Sequence, residues 1–229
     1  MASFAPPPVT TDPTPRWIRV RAGDTWVADS RRAQLRIEYG PGRLPTYLLP
    51  AEDVRTDLLT EDGDLHVDGR VIPGVARREG ALWTFAWDGR VSWFEEAAEV
   101  FVHPRDPRHR VDAIPSERYI EIRVDGELVA DSRMPHALFE TNLPIRWYLP
   151  AADVRGDLLE PSDTATACPY KGTARYWHVR GHEDVAWSYP EPIPECPRIA
   201  GLIAFFDERV DLTIDGEPQE RPVTPWSQT

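Results

Sequence analysis

Residues 149–159 read LPAADVRGDLL and residues 49–59 read LPAEDVRTDLL, so nine of eleven positions match at an offset of 100. The pentapeptide VADSR occurs at 27–31 and again at 129–133, at an offset of 102. Two such matches in the same order are typical of an internal repeat. The sequence therefore predicts two copies of one unit within the 229 residues of the chain.

A third match shows that the two copies differ in length. Residues 87–91 (WDGRV) resemble residues 206–210 (FDERV), but at an offset of 119. The second copy is thus 19 residues longer between the second and third matches, because 119 − 100 = 19. This interval contains the stretch CPYKGTARYWHVRGHEDVAWSYPEPIPECPRIAG at 168–201. We expect the second copy to carry a feature that the first copy lacks.

Strand patterns dominate both copies. Residues 119–132 read YIEIRV-DG-ELVADS, in which Asp-Gly between two alternating runs predicts a tight hairpin. Residues 17–30 form the equivalent hairpin, and further strands are expected at 174–179, 184–189 and 202–207. Each DVRxDLL segment suits one short helix, with a proline at its entry. The predicted fold class is mainly β, with one short helix in each of two tandem domains.

The repeat boundaries predict five segments. They are a disordered Pro-rich leader at 1–16, a shortened and degenerate first repeat domain at 17–103, an ordered connector at 104–118, a complete second repeat domain at 119–215, and a C-terminal tail at 216–229. The two repeats could also pack on each other as an intramolecular pseudo-dimer.

Composition restricts the class of partner and the compartment. The net charge of −12 argues against a nucleic acid or an anionic membrane as the main partner. The two cysteines cannot build a disulfide scaffold, and residues 1–17 have neither a basic nor an apolar secretory region. We therefore expect a cytoplasmic protein.

Several motifs together resemble a known family. They are CPYKGTARYW, AWSYPEP, IAGLIAFFDERVD, the hairpin ending in VADSR, and LPAADVRGDLLEPSDT. With them the chain resembles a tandem-copy member of the bacterial domain-of-unknown-function family numbered 427. The resemblance covers nearly all of 119–215 and, more weakly, 17–103. It implies an Mss4-like, or β-tent, fold, in which two sheets pack together. Relatives of that fold hold zinc on Cys-x-x-Cys pairs, which this sequence lacks.

Lys171 is the leading candidate for a reactive group. It is the only lysine among 26 basic residues, so a role that needs a primary amine is one explanation and GC-rich codon usage is the other. Cys168, three residues before it, is a candidate thiolate nucleophile or else a small buried apolar residue. Glu191, between two prolines, is the candidate carboxylate partner of Lys171 or else part of an exposed loop.

Aromatic residues are dense in the same interval. Tyr170, Tyr176, Trp187 and Tyr189 could line a ligand pocket with Lys171 at its mouth, or they could form the core of the second copy. A zinc site on Cys168, Cys196, His178 and His182 is a weaker alternative, because neither cysteine has a close pair. No metal and no cofactor is therefore expected.

Two function classes follow for this uncharacterised protein. The first is a module that binds an unknown small molecule in the aromatic pocket of the second domain. The second is an enzyme of unknown reaction that uses Lys171 as a base or imine-forming amine, with Cys168 and Glu191. A structural or interaction module without a ligand is the third possibility.

Overall fold

The computed structural model describes residues 8–40 and 42–228, and these are mainly β, with 51% in strands and 8% in short helical turns. The chain divides into two compact units between Asp106 and Pro107. No helix in the described part of the chain is long and apolar enough to cross a membrane.

The first unit contains two main sheets and a separate hairpin. Its strands are β1 (Thr10–Pro13), β2 (Ile18–Ala22), β3 (Thr25–Ser30), β4 (Gln34–Ile37), β5 (Thr46–Pro50), β6 (Leu65–Val67), β7 (Arg70–Ile72), β8 (Ala76–Glu79), β9 (Leu82–Phe85), β10 (Ser92–Glu95) and β11 (Ala98–Val100). The sheet orders are β1-β4-β5-β9-β8 and β11-β10-β2-β3, and β6 pairs with β7.

The second unit contains a larger sheet and a smaller one. Its strands are β12 (Val111–Pro115), β13 (Ile120–Val124), β14 (Glu127–Ser132), β15 (His136–Glu140), β16 (Arg146–Leu149), β17 (Leu159–Cys168), β18 (Gly172–Val179), β19 (His182–Ser188), β20 (Ile203–Phe205), β21 (Asp211–Ile214) and β22 (Glu217–Pro218). The sheet orders are β12-β15-β16-β20-β19-β18-β17 and β14-β13-β21-β22. All pairs in both units are antiparallel.

The two units have corresponding strand orders. The order β1-β4-β5-β9-β8 in the first unit is matched by β12-β15-β16-β20-β19 in the second, and β11-β10-β2-β3 is matched by β22-β21-β13-β14. Strands β2 and β13 both alternate between buried and half-buried residues, which turns every second side chain into the space between the sheets. The second unit adds the long hairpin β17–β18 to one edge of its larger sheet.

The larger sheet of the second unit buries side chains on both faces. In β16, Trp147 and Leu149 belong to the core between the sheets, whereas Tyr148 between them belongs to a second apolar cluster on the opposite face. Residues 189–202, which form part of the extra stretch found in the sequence, contribute Tyr189, Cys196 and Ile199 to this second cluster. The segment therefore acts as a cover for the outer face of the sheet.

The hairpin and strand predictions are confirmed at the level of elements. Hairpins β2–β3 and β13–β14 form, and the second one turns at Asp125 and Gly126, whose φ angles are 50° and 78°. Strands β18, β19 and β20 occupy the three predicted runs, with ends shifted by a few residues.

The predicted short helices are not formed as such. Each DVRxDLL segment holds two single 3-10 turns, Ala51–Asp53 and Thr56–Leu58 in the first unit and Ala151–Asp153 and Gly156–Leu158 in the second. A valine between the turns is extended, and its backbone pairs with β3 or β14 in bridges Ala28↔Val54 and Ala130↔Val154. Pairing of this β-branched residue with a strand replaces the i, i+4 contact that a helix would have made.

The terminal segments are also more ordered than expected. Residues 10–13 of the leader form β1, which pairs with β4, so the expectation of disorder is wrong there; residues 1–7 lie outside the described residues. Within the expected connector, β12 is the edge strand of the larger sheet of the second unit. The expected tail contains β22 and a 3-10 turn at Pro225–Gln228.

Candidate functional site

Lys171 lies in the turn between β17 and β18, and its ammonium is buried in an ion pair. Its Nζ contacts Oε2 of Glu140 at the end of β15. The other carboxylate oxygen of Glu140 lies 3.0 Å from Nε2 of His109, which precedes β12. Tyr170 stacks on the His109 ring, with 4.1 Å between the ring centroids. The end of β15, the segment before β12 and the β17–β18 turn thus converge on the carboxylate of Glu140.

The electrostatics of this cluster favour the ionised pair. Burial alone would raise the pKa of Glu140, but the hydrogen bond with His109 and the charge of Lys171 outweigh burial and lower that pKa. An ammonium held by an ionised carboxylate has no free electron pair with which to attack a carbonyl group. The geometry therefore gives Lys171 the role of a buried counterion and does not support its use as an imine-forming amine.

Neither of the other two catalytic candidates forms a described side-chain hydrogen bond with this ion pair. Glu191 is exposed on the covering segment, and among the described residues none forms a hydrogen bond with its carboxylate. Cys168 is half-buried, and burial raises the pKa of its thiol in spite of the opposing charge of Lys171. Desolvation of the thiolate is the larger effect, which favours the interpretation of Cys168 as a small, partly buried apolar residue over that of an activated nucleophile.

Glu140, the actual partner of Lys171, was missed by the sequence reasoning. The strand registers show why the repeat gives no signal for it. Gln34 of β4 and His136 of β15 occupy equivalent positions at an offset of 102, so Glu140 aligns with Glu38. The first copy therefore keeps this carboxylate and lacks only the lysine.

The four aromatic candidates are part of the packing of the second unit. Trp187 and Tyr189 are buried in the apolar cluster on the outer face of the sheet, and Trp187 donates a hydrogen bond of 3.0 Å to the Tyr148 hydroxyl. Tyr176 is half-buried, with its hydroxyl 2.7 Å from that of Thr166, and Tyr170 lies against His109. For these residues the structure supports the core interpretation.

The side chains of the zinc alternative are distributed over two places. His178 lies beside Asp184 and His182 beside Asp125, whereas both cysteines contact the outer apolar cluster. The described residues contain no group of three or more His, Cys, Asp and Glu side chains that could hold a metal ion.

A cleft of about 530 Å³ lies elsewhere in the second unit, beside the smaller sheet. Its walls come from the ends of β12 and β15, the loop before β16, strand β21 and the C-terminal segment. The apolar lining residues include Ile114, Phe139, Ile145, Trp147, Leu212 and Ile214. Asp207 is the buried acidic group among the lining residues, with 7% of its side chain exposed.

Asp207 joins this cleft to a cluster of three buried charged side chains, called the charged floor of the cleft, in which Arg146 and Glu208 contact one another and Asp207 but do not themselves line the cavity. Arg146 at the start of β16 pairs with Glu208 through Nη2 and with Asp207 through Nη1, which lies 3.2 Å from Oδ2. Thr224 of the C-terminal segment donates a hydrogen bond of 2.5 Å to Glu208. Oε2 of Glu208 and Nη1 of Arg146 are buried and have no hydrogen-bond partner among the described residues.

The two carboxyl groups differ strongly in acidity. Burial raises the pKa of Asp207 to about 7, because it outweighs the opposing effect of Arg146. The pKa of Glu208 is lowered despite its burial, since hydrogen bonds from Arg146 and Thr224 favour the ionised form. Asp207 is therefore the group of this cluster that can gain or lose a proton near neutral pH.

The first unit has a cleft of about 630 Å³ on its five-stranded sheet, with a different lining. Thr46 and Thr84 face each other there at 2.9 Å, and Arg36 is held by Glu79. Thr46 aligns with Arg146 at the offset of 100, so the first unit lacks the guanidinium of the second. The cluster of Arg146, Asp207 and Glu208 is a property of the second unit.

Comparisons with known proteins bear on the second unit. A search of curated proteins found no match to the chain. One family model matches residues 112–216, just under half of the chain, and this range includes Lys171, Glu140 and the three charged residues of the cleft floor. By this match, the second unit is similar to the family described as Domain of unknown function (DUF427).

Proposed function

We propose that the second unit binds a small organic molecule in the cleft beside the smaller sheet, with Asp207 as its polar anchor. One observation carries the proposal: the buried Asp207 carboxyl group, whose pKa burial raises to about 7, faces a cleft of about 530 Å³ with many apolar lining residues. A concave apolar site with a few convergent polar groups and a perturbed pKa is typical of binding sites. The volume is within the usual range of roughly 300–1,000 Å³.

The cleft replaces the aromatic pocket around Lys171 as the site of the expected small-molecule binding. Trp187 and Tyr189 are already packed in a core cluster, and Lys171 is paired with Glu140. Catalysis by Lys171, Cys168 and Glu191 has less support, since these groups do not converge and the thiol of Cys168 is held protonated.

We further infer that the protein consists of two copies of one Mss4-like (β-tent) unit. The corresponding strand orders and the matching sequence segments support this interpretation. The first copy lacks the charged floor, and the net charge of −12 is compatible with the expected cytoplasmic location.

The experiment uses two exposed apolar residues at the wall of the cleft. Phe139 and Ile145 have 43% and 41% of their surface exposed, so Phe139→Ser and Ile145→Ser leave the core intact. The matched control is Met134→Ser, a change of an exposed apolar residue of the same unit that does not line the cleft. The probe is 3-ethylindole, whose binding to the full chain is measured by chemical shifts of backbone and indole N–H groups.

We expect saturable chemical-shift changes at residues that include Trp147, Leu212 and Asp207. The variant that combines Phe139→Ser with Ile145→Ser should bind the probe at least tenfold more weakly than Met134→Ser. Loss of about 2 kcal/mol of apolar contact is enough for such a difference. Shifts that are spread over the surface, or that are the same in both variants, would contradict the proposal.

A further inference from the structure

The floor of the cleft carries more negative than positive charge. Two carboxyl groups, those of Asp207 and Glu208, share the single guanidinium of Arg146, and all three side chains are at most 8% exposed. When both carboxyl groups are ionised, this buried cluster holds one uncompensated negative charge. Such a charge is costly in a poorly hydrated place, so a proton or another cation has to offset it.

Glu208 accepts more hydrogen bonds than Asp207 does. Both the Arg146 guanidinium and the Thr224 hydroxyl donate to its Oε1. Asp207 lies 3.2 Å from Arg146 without the alignment of a hydrogen bond, and no other described residue donates to its carboxyl group. Asp207 is thus the group that is left to be neutralised, and it is the one that faces the cavity.

The other charged groups around Asp207 do not remove this imbalance. Arg118 and Glu220 line the outer part of the cleft and have opposite charges. Arg118 lies 3.8 Å from Asp215, which offsets its charge further. The remaining neighbours of the Arg146 guanidinium are the rings of Trp187, Phe206 and Trp226, at 5.8, 5.9 and 6.0 Å. No second cation from the described residues reaches Asp207.

The residues that line the walls of the cleft indicate which kind of molecular body fits beside Asp207. Leu212 and Ile214 of β21, Trp147 of β16 and the exposed Phe139 and Ile145 present an apolar surface. Such walls favour an alkyl or aromatic body, and beside these residues, away from Arg118 and Glu220, a second charge would have no partner. The cavity therefore suits a molecule with one charged end.

We propose, building on the proposed function of the cleft, that its ligand is a monovalent organic cation in which an ammonium or similar group contacts Asp207 and an alkyl or aromatic body fills the apolar part. The cation takes the place of the proton that Asp207 otherwise holds. Binding of the cation therefore requires the ionised carboxylate, and protons compete with the ligand.

Three probes with one body and different charge test this proposal on the unmodified full chain. They are tryptamine, 3-ethylindole and indole-3-propionate, which carry a positive, no and a negative charge. Dissociation constants come from titration calorimetry at pH 8 and at half-unit steps down to pH 5.5. The amine of tryptamine resembles that of lysine, whose pKa is about 10, so it stays protonated throughout.

We expect tryptamine to bind at least tenfold more tightly than 3-ethylindole at pH 8, and indole-3-propionate to bind most weakly. Below the pKa of Asp207 the affinity for tryptamine should fall by about tenfold per pH unit, because the protonated carboxyl group must first release its proton. The affinity for 3-ethylindole should stay constant over the same range. In Asp207→Asn, tryptamine and 3-ethylindole should bind equally.

The possible failures are distinguishable. Equal affinity of tryptamine and 3-ethylindole at pH 8 would overturn the cation proposal and leave small-molecule binding in place. Tightest binding of indole-3-propionate would overturn it as well and assign an anionic ligand. Absence of binding of all three probes at millimolar concentration would count against both the cation and the proposed function of the cleft.

Discussion

Lys171 and Glu140 lose most of their hydration in the folded second unit, and each supplies the charge that compensates the other. Their side chains are 11% and 7% exposed, and His109 lies within hydrogen-bond distance of the second carboxylate oxygen of Glu140. A chain that otherwise uses arginine keeps its one lysine here, where the ammonium forms a single ion pair with Glu140. The sequence reasoning found the unusual residue, but a structural role explains it better than a reaction.

Removal of one partner of this pair should be more costly than removal of both. We expect Lys171→Met to lower the free energy of unfolding by about 3 kcal/mol, because Glu140 is left buried with His109 alone. The double variant Lys171→Met/Glu140→Leu should lose markedly less, since no uncompensated charge remains. Urea unfolding at pH 7 measures both values.

Equal losses in the single and double variants would show that the ion pair contributes through packing only. The pH dependence gives a second readout. The pKa of Glu140 is lowered in the folded state, so its contribution to stability is present above the unfolded pKa and is lost as the pH falls through the folded value. In Lys171→Met this acid-side loss should begin at higher pH.

The contribution of Asp207 to stability should change with pH in the direction opposite to that of Glu140. Its pKa is raised from 3.8 to about 7, so the folded state holds a proton that the unfolded state releases between these values. The protonated form therefore contributes its full stability below the pKa of the unfolded state. This contribution is lost as the pH rises towards 7.

We expect Asp207→Asn to reduce this decline, so that between pH 4 and pH 7 the variant gains stability relative to the original chain. The gain should approach about tenfold in the unfolding equilibrium constant per pH unit in the steepest part. The control is Asp88→Asn, which changes the aligned but exposed carboxylate of the first unit and should show no such gain. Parallel pH profiles for the original chain and Asp207→Asn would contradict the assignment.

Among the elements, the covering segment 189–202 was the least predictable. Its YPEP motif suggested a candidate carboxylate at Glu191 or else an exposed loop, whereas the side chains of Tyr189, Cys196 and Ile199 fill an apolar cluster. The segment is fixed to the β17–β18 turn by a hydrogen bond of 3.0 Å from Ile193 N to Lys171 O and by a bridge between Gly172 and Pro192. Alternation along a strand does not reveal such a contact, because it joins residues far apart in sequence.

Gly172 is the position at which this contact can be tested. Its φ of 111° disfavours any side chain, and an added Cβ would lie 3.1 Å from the Glu191 carbonyl oxygen and 3.3 Å from Pro192 Cα. We expect Gly172→Ala to destabilise the chain by about 1 kcal/mol more than Gly181→Ala, which has a φ of 81° but open space around it. Thermal and urea unfolding provide the comparison.

Hydrogen exchange distinguishes the mechanism of that loss. In Gly172→Ala the amides of Ile193 and Cys196 should exchange faster, because the covering segment has to move away from the turn. Equal destabilisation in the two glycine variants would mean that backbone strain alone accounts for the effect. Unchanged hydrogen-exchange protection of the covering segment would mean that the segment stays in place and that other parts of the chain move to accommodate the new Cβ atom next to Glu191.

At the scale of the whole chain, the internal matches were the most informative feature of the sequence. Together with the Asp-Gly turn signal they predicted the two hairpins, and the fold is mainly β as the alternating runs indicated. They could not predict the cleft, since its floor joins Arg146 of β16 to Asp207 and Glu208 some 60 residues later and to Thr224 in a segment expected to be a tail. Only the folded sheets bring these groups together.

Each unit contains the contacts that it needs for its own fold. The two core clusters of the second unit consist of residues from Val111 to Ile214, and all strands of its sheets pair within the same unit. The core of the first unit likewise consists of residues between Ile18 and Trp93. We therefore expect residues 107–229, expressed alone, to fold with a cooperative transition, and residues 8–106 to do the same. Circular dichroism during heating and dispersed amide spectra measure this.

The second unit alone also separates stability from binding. If the cleft is complete within 107–229, the fragment should bind 3-ethylindole with an affinity within a factor of about two of that of the full chain, because every lining residue from Ile114 to Pro222 is present. The fragment of residues 8–106 is the control and lacks the charged floor. A fragment 107–229 that folds cooperatively but has lost the probe affinity would show that the first unit contributes to binding, and one that does not fold would refute the independence of the two cores.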